Sequence, residues 1–263
     1  MPIHPISATQ FANKKFLRTK NYVFAANDAL AGLVSKEFPK AALSLPIAFV
    51  PAGEDFAPVA VLGLQPGKNL FVSLDGRWIG GYIPAVFRGF PFLLANAEDD
   101  RQVLCINDAH GSISETEGED FFDQESQPTQ AVKDILDFLN QVASNRLATL
   151  KVVKVMQKHQ LIAPWPIKLK GADQQEQTLE GLFRVDESAL NLLSAEALDE
   201  VRRAGALPLI YCQLLSMQHL PMLGKLAQAH QEAEQMAALP KTEAGEIDLS
   251  FLADDTTISF ENL

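Results

Sequence analysis

Residues 78–122, WIGGYIPAVFRGFPFLLANAEDDRQVLCINDAHGSISETEGEDFF, hold most of the unusual chemistry of this 263-residue chain. Their first part combines a Gly-Gly pair and two prolines with a Phe-rich run, a pattern too irregular for a regular helix. Phe92–Leu94 and Gln102–Ile106 then predict the strands of a hairpin with a polar turn between them. The acidic residues from Asp108 to Gln127 predict an ordered loop, pinned by its two adjacent Phe side chains.

The residues before this stretch also favour antiparallel strands. Ile47–Val50 and Phe56–Leu64 are predicted strands, and 69–74 predicts a return strand after a Pro-Gly turn. A short helix is predicted over Lys36–Ser44. Residues 1–20 are polar and basic, with two early prolines, and predict a loosely held arm.

The clearest helix begins after a Pro-Thr pair at 128–129. Apolar residues recur there at steps of three and four: Val132, Ile135, Leu136, Leu139, Val142, Leu147, Leu150, Val153 and Met156. This pattern predicts one continuous helix over Thr129–His159, roughly 45 Å long. Burial is predicted for Leu136, Leu139, Leu150 and Val153. A self-associating coiled coil is the alternative, and it is disfavoured because Arg146 interrupts the seam.

The predicted fold class is α+β, in four segments. Residues 1–127 form a mainly β region that contains the aromatic and acidic 78–122 stretch, and 128–160 form the long amphipathic helix. Residues 161–239 predict a hairpin followed by helices, in which Ser194 caps one helix and Gly205 ends it. Residues 240–263 are an acidic tail whose two apolar patches predict that it docks on the body or on a partner.

The charge balance excludes two classes of partner. The formal net charge is −11, whereas nucleic-acid-binding proteins neutralise phosphates with Lys and Arg, and polybasic membrane anchors need clustered cations. No window approaches the roughly 18 apolar residues of a membrane helix, and the N-terminus lacks the apolar core of a signal peptide. We therefore expect no nucleic-acid partner, no membrane insertion and a cytoplasmic location, with surface association only through signal-independent export.

Motifs for metals and cofactors are absent from the sequence. The five histidines form no HExxH or HxH pattern, and GxxxxGK(S/T), GxGxxG and GxSxG do not occur. The acidic set between Asp108 and Asp123 could chelate Ca²⁺, but it lacks EF-hand spacing and a solvated loop is favoured. Cys105 and Cys212 each lie in an apolar run and predict two buried free thiols, with a disulfide between them as the alternative. The sequence therefore predicts neither a metal nor a cofactor.

Arg88 is the central candidate for a ligand-binding site. In VFRGFPF it is flanked by Phe rings, where a guanidinium must reach solvent, stack on a ring or bind an anion. Asp108 and His110 place a carboxylate and an imidazole two residues apart. A structural pairing of Arg88 with Asp108 or Glu119 is the favoured alternative. The predicted ligand-binding residues are Trp78, Tyr82, Arg88, Phe90, Asp108 and His110, and no catalytic residue is assigned.

Two further segments accompany the 78–122 stretch: FAANDALAGLVSKEFPKAALSLPIAFV at 24–50 and LEGLFRVDE at 179–187. Together the three segments resemble the SapC family of bacterial proteins, and the resemblance extends from about Tyr22 to Leu226. It implies a bacterial protein of a family named for association with a surface layer, whose function is poorly defined.

Two functional hypotheses follow. The first is a non-enzymatic accessory protein that presents residues 78–122 and the tail to a protein partner, or to a second copy of itself. The second is a small-molecule-binding protein or an enzyme with an aromatic pocket around Arg88, Asp108 and His110. Loss of ligand binding in a folded Arg88→Ala variant would separate the two hypotheses.

Overall fold

The computed structural model describes residues 3–96, 101–170 and 176–238. Antiparallel strands combine with helices in these ranges, so the fold is α+β, as the sequence predicts. None of the described helices combines the length and the apolarity that crossing a membrane requires. The acidic tail predicted to dock, 240–263, lies outside the described residues, as do the turns of two hairpins.

The strands are short, and the pairings between them are antiparallel. In chain order they are β1 Ile3–Pro5, β2 Lys15–Phe16, β3 Leu30–Gly32, β4 Ile47–Ala52, β5 Asp55–Val61, β6 Phe92–Asn96, β7 Gln102–Asn107, β8 Ile113–Ser114, β9 Glu119–Asp120, β10 Ile162–Pro164, β11 Ile167–Lys170, β12 Glu176–Leu179 and β13 Phe183–Val185. The helices are α1 Ala8–Phe11, α2 Phe38–Ala41, α3 Ala85–Arg88, α4 Gln130–Lys158, α5 Glu187–Asn191, α6 Ala195–Arg203, α7 Ala206–Ser216 and α8 Leu220–Ala238. Single 3₁₀ turns cover Val23–Ala25, Ser35–Glu37 and Met217–His219.

A five-stranded sheet in the order β10-β13-β4-β5-β3 forms the centre of the fold. The hairpin of β4 and β5 is paired from Ile47↔Ala60 to Ala52↔Asp55. β13 pairs with β4. The sheet therefore combines strands that precede the long helix in the chain with strands that follow it. A large cluster of buried apolar residues, including Phe38, packs around this sheet.

Residues 69–74, predicted to return as a strand beside β5, do not form one. Val72 makes a single isolated bridge to Trp78, and β3 pairs with β5 instead. The Asn69 side chain donates to a backbone carbonyl at 3.0 Å and accepts from the N–H of Phe71 at 2.9 Å. These bonds satisfy the backbone in a turn. The apolar pattern reflects the burial of Leu70, Phe71 and Val72, which a turn can provide as well as a strand, whereas Leu74 is exposed.

The prediction of a loosely held N-terminal arm is wrong. β1 pairs with β7, and β2 lies between β8 and β9. Phe11 is 3% exposed and Phe16 is 0% exposed, and their ring centroids lie 4.8 and 5.1 Å from that of Phe121. Burying one such ring contributes roughly 1.5–3 kcal/mol, which holds the segment on the body although its sequence is rich in Lys and other polar residues. Phe121 also pins the acidic loop, as predicted.

The predicted long helix is confirmed. α4 is continuous over Gln130–Lys158, and the Thr129 hydroxyl caps it by accepting a hydrogen bond from a first-turn N–H. Val153 is buried as predicted. Three other residues of the predicted buried set are only half-buried: Leu136, Leu139 and Leu150. The reason is that β5, β6 and α7 each contact only part of the apolar stripe.

Several local predictions are confirmed as well. β6 pairs with β7 and β11 pairs with β12, as the two predicted hairpins require. Ser194 caps α6 by accepting a hydrogen bond from the N–H of Ala197. Gly205 follows that helix with φ +76°, a left-handed conformation that favours glycine.

The two cysteines are free thiols, as predicted. Cys105 is buried, whereas Cys212 is only half-buried. Burial raises the pKa of both thiols, so neither is a ready nucleophile at neutral pH.

Candidate functional site

A cleft of about 420 Å³ opens between the segment after β2, the segment around α3, and α4. Its volume lies in the range of small-molecule sites, roughly 300–1,000 Å³. Much of its lining is apolar or aromatic: Tyr22, Phe87, Phe90, Phe92, Ile135 and Phe138. Three charged side chains also line it: Arg18, Arg88 and Asp134. The cleft thus combines ring surfaces for an apolar body with groups that can orient a charged one.

Arg88 is held in a fixed position at the end of α3. Its Nε donates to the carbonyl of Ile83 at 3.1 Å, and its Nη2 donates to the Tyr82 hydroxyl at 3.1 Å. The guanidinium lies 5.2 Å from the ring centroid of Phe138 and 5.7 Å from that of Tyr82, distances typical of cation–π contacts. The side chain is nevertheless 43% exposed. Arg88 is therefore both preorganised and accessible.

A buried carboxylate, that of Glu37, positions α3 and the residues before it. Glu37 is 4% exposed and accepts a hydrogen bond from the Tyr82 hydroxyl at 2.8 Å. The backbone N–H groups of Val34 and Ala85 donate to it at 3.0 and 2.6 Å. A buried charge needs such donors, because its loss of hydration is costly. Arg88 completes the set, with Nη2 3.9 Å from Oε1 of Glu37.

Tyr82 links Arg88 to Glu37. Burial, followed by the charge of Glu37, raises the pKa of the Tyr82 hydroxyl to about 12. The hydroxyl therefore stays protonated at neutral pH, and it donates to Glu37 while it accepts from Arg88. The sequence-based pairing of Arg88 with Asp108 or Glu119 is wrong, because Glu37 is its ion partner.

Arg18 and Asp134 are the other charged groups of the cleft. Nε and Nη2 of Arg18 donate to the two oxygens of Glu119 at 2.5 and 3.2 Å. These hydrogen bonds, with the charges of Glu119 and Asp134, raise the pKa of Arg18. Oδ1 of Asp134 accepts a hydrogen bond from the Gln130 amide at 2.7 Å. Arg18 is thus hydrogen-bonded to a carboxylate, that of Glu119, whereas the partner of Asp134 is the neutral amide of Gln130.

The structure brings most of the predicted ligand-binding residues together. Arg88 and Phe90 line the cleft, and Tyr82 supports Arg88 from beside it. Trp78 lies behind the lining, with its ring centroid 5.7 Å from that of Tyr22. These four residues therefore form one aromatic and cationic assembly.

Asp108 and His110 contact different neighbours, and neither residue lines the cleft. The His110 ring meets Phe90 edge-on, with 5.8 Å between centroids. Oδ1 of Asp108 accepts a hydrogen bond from the N–H of Ile113 at 2.9 Å, which closes a local turn. Among the described residues, no three His, Cys, Asp or Glu side chains lie close enough together to hold a metal ion.

Sequence reasoning misses four residues of the site: Arg18, Glu37, Asp134 and Phe138. Phe138 carries one usable signal, since a large aromatic residue at the edge of an apolar stripe extends that face towards another partner. Glu37 and Asp134 carry none, because acidic side chains are exposed in most proteins. Arg18 is missed because it lies in residues 1–20, whose sequence predicts a loosely held arm.

Comparison with known proteins agrees with the resemblance seen in the sequence. The sequence model of the SapC family matches residues 6–223, a range that includes each charged residue of the cleft. No curated protein and no solved structure matches the chain. Since the family match spans most of the 263 residues, the chain belongs to the SapC family.

Proposed function

We propose that this SapC-family protein binds a small organic molecule in the cleft, one that carries a carboxylate and an apolar body. The observation that supports the proposal most directly is the state of Arg88, which two hydrogen bonds hold in place while 43% of the side chain stays exposed. Among the described residues, no acceptor bonds to its Nη1. An arginine ordered before binding loses little conformational entropy when it takes up an anion.

The aromatic lining supports the binding of the apolar body of the ligand. Phe90 is braced by Phe24, with ring centroids 3.8 Å apart and planes at 7°. Rings that are already ordered can bury apolar ligand surface at about 25 cal/mol per Å² without further loss of side-chain freedom. The ligand then lies with its carboxylate at Arg88 and its apolar body along Phe90 and Phe138.

The charges of the cleft disfavour ligands with several negative groups. Asp134 lines the cleft beside the cations, and the chain carries a formal net charge of −11. A nucleotide or a nucleic acid would bring its phosphates against this carboxylate, and like charges repel strongly where water is partly excluded. A single carboxylate avoids most of this repulsion.

Isothermal titration with apolar carboxylates, including 3-phenylpropionate and 4-methylpentanoate, tests the proposal. We expect saturable binding by the wild type and a loss of about 10-fold or more in Arg88→Gln, because a hydrogen bond to a charged group contributes roughly 1.5–3 kcal/mol. Arg77→Gln is the matched control, since Arg77 pairs with Asp75 away from the cleft. Equal affinities of Arg88→Gln and wild type, or no saturable binding at millimolar concentration, would contradict the proposal.

A second function, the binding of a protein partner or of another copy of this chain, is favoured by apolar side chains around α2 and α7. Leu43 is 78% exposed, Leu215 64% and Tyr211 54%, and the two helices pack together. Sedimentation velocity of the wild type and of Leu43→Ser/Leu215→Ser tests self-association through this face. A larger species that the double variant loses supports it, and a monomer at all concentrations contradicts it.

A further inference from the structure

The Asp134 carboxylate, on α4, gives the cleft a negative charge in addition to the positive charge of Arg88. Asp134 and Phe138 both line the cleft and are four residues apart on α4, so they share a face and lie about 6 Å apart along the helix axis. The Arg88 guanidinium lies 5.2 Å from the Phe138 ring centroid. A carboxylate and a guanidinium therefore line the same cleft, and Phe138 is a near neighbour of both.

Both groups remain available to a ligand. Oδ1 of Asp134 accepts from Gln130 at 2.7 Å, and no hydrogen bond from the described residues reaches its Oδ2. The neighbouring cation, Arg18, forms its two-point contact with Glu119. Arg88 reaches its ion partner Glu37 only at 3.9 Å, so Arg88 and Asp134 are the charged groups of the cleft that are not in direct hydrogen-bonded ion pairs among the described residues.

The complementary ligand is a zwitterion whose two charges lie close together. In an α-amino acid the bonds through Cα place the ammonium nitrogen within about 3 Å of the carboxylate carbon. Charge-assisted hydrogen bonds add about 2.8 Å at each end, so the head group can pair with a cation and an anion that line one cleft within roughly 8 Å of each other. A simple carboxylate leaves Asp134 partly desolvated without a partner, and a dianion is repelled by it.

We infer that the ligand is a free α-amino acid with a large apolar side chain, an assignment that rests on the proposed function of the cleft. Its carboxylate binds Arg88, its ammonium group binds Asp134, and its side chain packs on the aromatic lining. A peptide carries its terminal charges farther apart, so we expect it to bind less tightly than a free amino acid. The cleft therefore selects free amino acids over peptides and over desamino analogues.

Matched ligands and one conservative variant test the inference. L-Phenylalanine, 3-phenylpropionate and phenethylamine share a side chain and differ in head group. By isothermal titration, the wild type should bind L-phenylalanine about 10-fold or more tightly than either analogue, the contribution of one further charged hydrogen bond. L-Leucine should show the same advantage over 4-methylpentanoate.

Asp134→Asn keeps the shape of the side chain and an oxygen for Gln130. It should bind L-phenylalanine no more tightly than 3-phenylpropionate, and its affinity for 3-phenylpropionate should not fall. Asp137→Asn, which alters an exposed carboxylate on the same helix, is the matched control and should behave as the wild type.

The outcomes separate the two proposals. If the wild type binds 3-phenylpropionate as tightly as L-phenylalanine, or if Asp134→Asn keeps the amino-acid advantage, the inference is overturned and the carboxylate site stands. If no carboxylate and no amino acid binds, both are overturned. Should Asp134→Asn fail to fold by circular dichroism, N-acetyl-L-phenylalanine on the wild type replaces it: a loss of affinity on acetylation supports the inference, and no loss overturns it.

Discussion

Two regions of the molecule hold polar side chains in fixed positions, and they differ in how exposed those groups are and in how completely they are paired. Between α7 and the central sheet, Gln213 and Ser216 are both 0% exposed. Gln213 donates to the Ile47 carbonyl at 3.1 Å and accepts from the Val185 N–H at 2.9 Å, while Ser216 accepts from the Ile47 N–H at 3.0 Å. At the cleft, Arg88 is held by its neighbours and yet keeps donors free among the described residues.

This difference separates groups that specify the fold from groups that a ligand could use. A buried network in which each side chain is paired fixes how the elements dock, and the junction of α7 with the sheet is closed to solvent at Gln213 and Ser216. The cleft keeps an ordered cation and an ordered carboxylate accessible at the edge of an aromatic lining. Unused hydrogen-bonding capacity, rather than burial alone, therefore marks the cleft as the candidate binding site.

The largest expected effect is that of Glu37→Leu, because the cleft depends on this one buried carboxylate. Its three donors lose their acceptor, and the free energy of unfolding measured with urea should fall by about 3–5 kcal/mol. Carboxylate affinity should fall too, since Tyr82 and α3 no longer hold Arg88. Glu37→Gln, which keeps an acceptor, should lose less. If Glu37→Leu is as stable as the wild type, Glu37 does not support the cleft.

Gln213→Leu tests the paired region, the junction between α7 and the central sheet. Two buried backbone groups lose their partners, so the free energy of unfolding should fall by about 2–4 kcal/mol. The folded fraction should bind 3-phenylpropionate as the wild type does, because this junction lies outside the cleft. Gln228→Leu, at an exposed position, is the control and should change stability by less than about 0.5 kcal/mol. A loss of affinity in the folded variant would mean that the two regions are coupled.

Tyr82→Phe should have the smallest effect, a loss of about 1 kcal/mol near neutral pH for one hydrogen bond. The pKa of Tyr82 is raised from 10.0 to about 12 in the folded protein. Its contribution is therefore fully present below pH 10 and is lost as the pH rises towards 12. The difference in unfolding free energy between wild type and variant should shrink over that window. An unchanged difference would show that the pKa of Tyr82 is not raised in the folded protein, and Tyr211→Phe is the exposed control.

The sequence predicts best those elements whose signals are local. The periodicity of α4, the cap at Ser194 and the left-handed stop at Gly205 each depend on residues within a few positions of one another. The same holds for the hairpin of β6 and β7, which its alternating strands and polar turn indicate.

Burial is predicted less well, because an apolar run indicates that a segment is buried but not what covers it. Residues 69–72 are buried in a turn rather than in a strand. Leu139 lies in the apolar stripe of α4 and is only half-buried, so Leu139→Ala should cost less than the roughly 2–5 kcal/mol of a fully buried leucine. Phe11 and Phe16 are buried and anchor residues 1–20, although the composition of this segment predicts a loosely held arm.

The sequence by itself determined the fold class, the long helix, the family resemblance and the candidacy of Arg88 among aromatic residues. Only the tertiary structure decided which groups meet Arg88: Glu37 from a turn before the central hairpin, and Asp134 and Phe138 from the long helix. The physical reason is that an ion pair or a cleft depends on distances of a few ångströms between segments far apart in the chain. Propensity, periodicity and turn chemistry act over one or two turns and carry no information about such crossings.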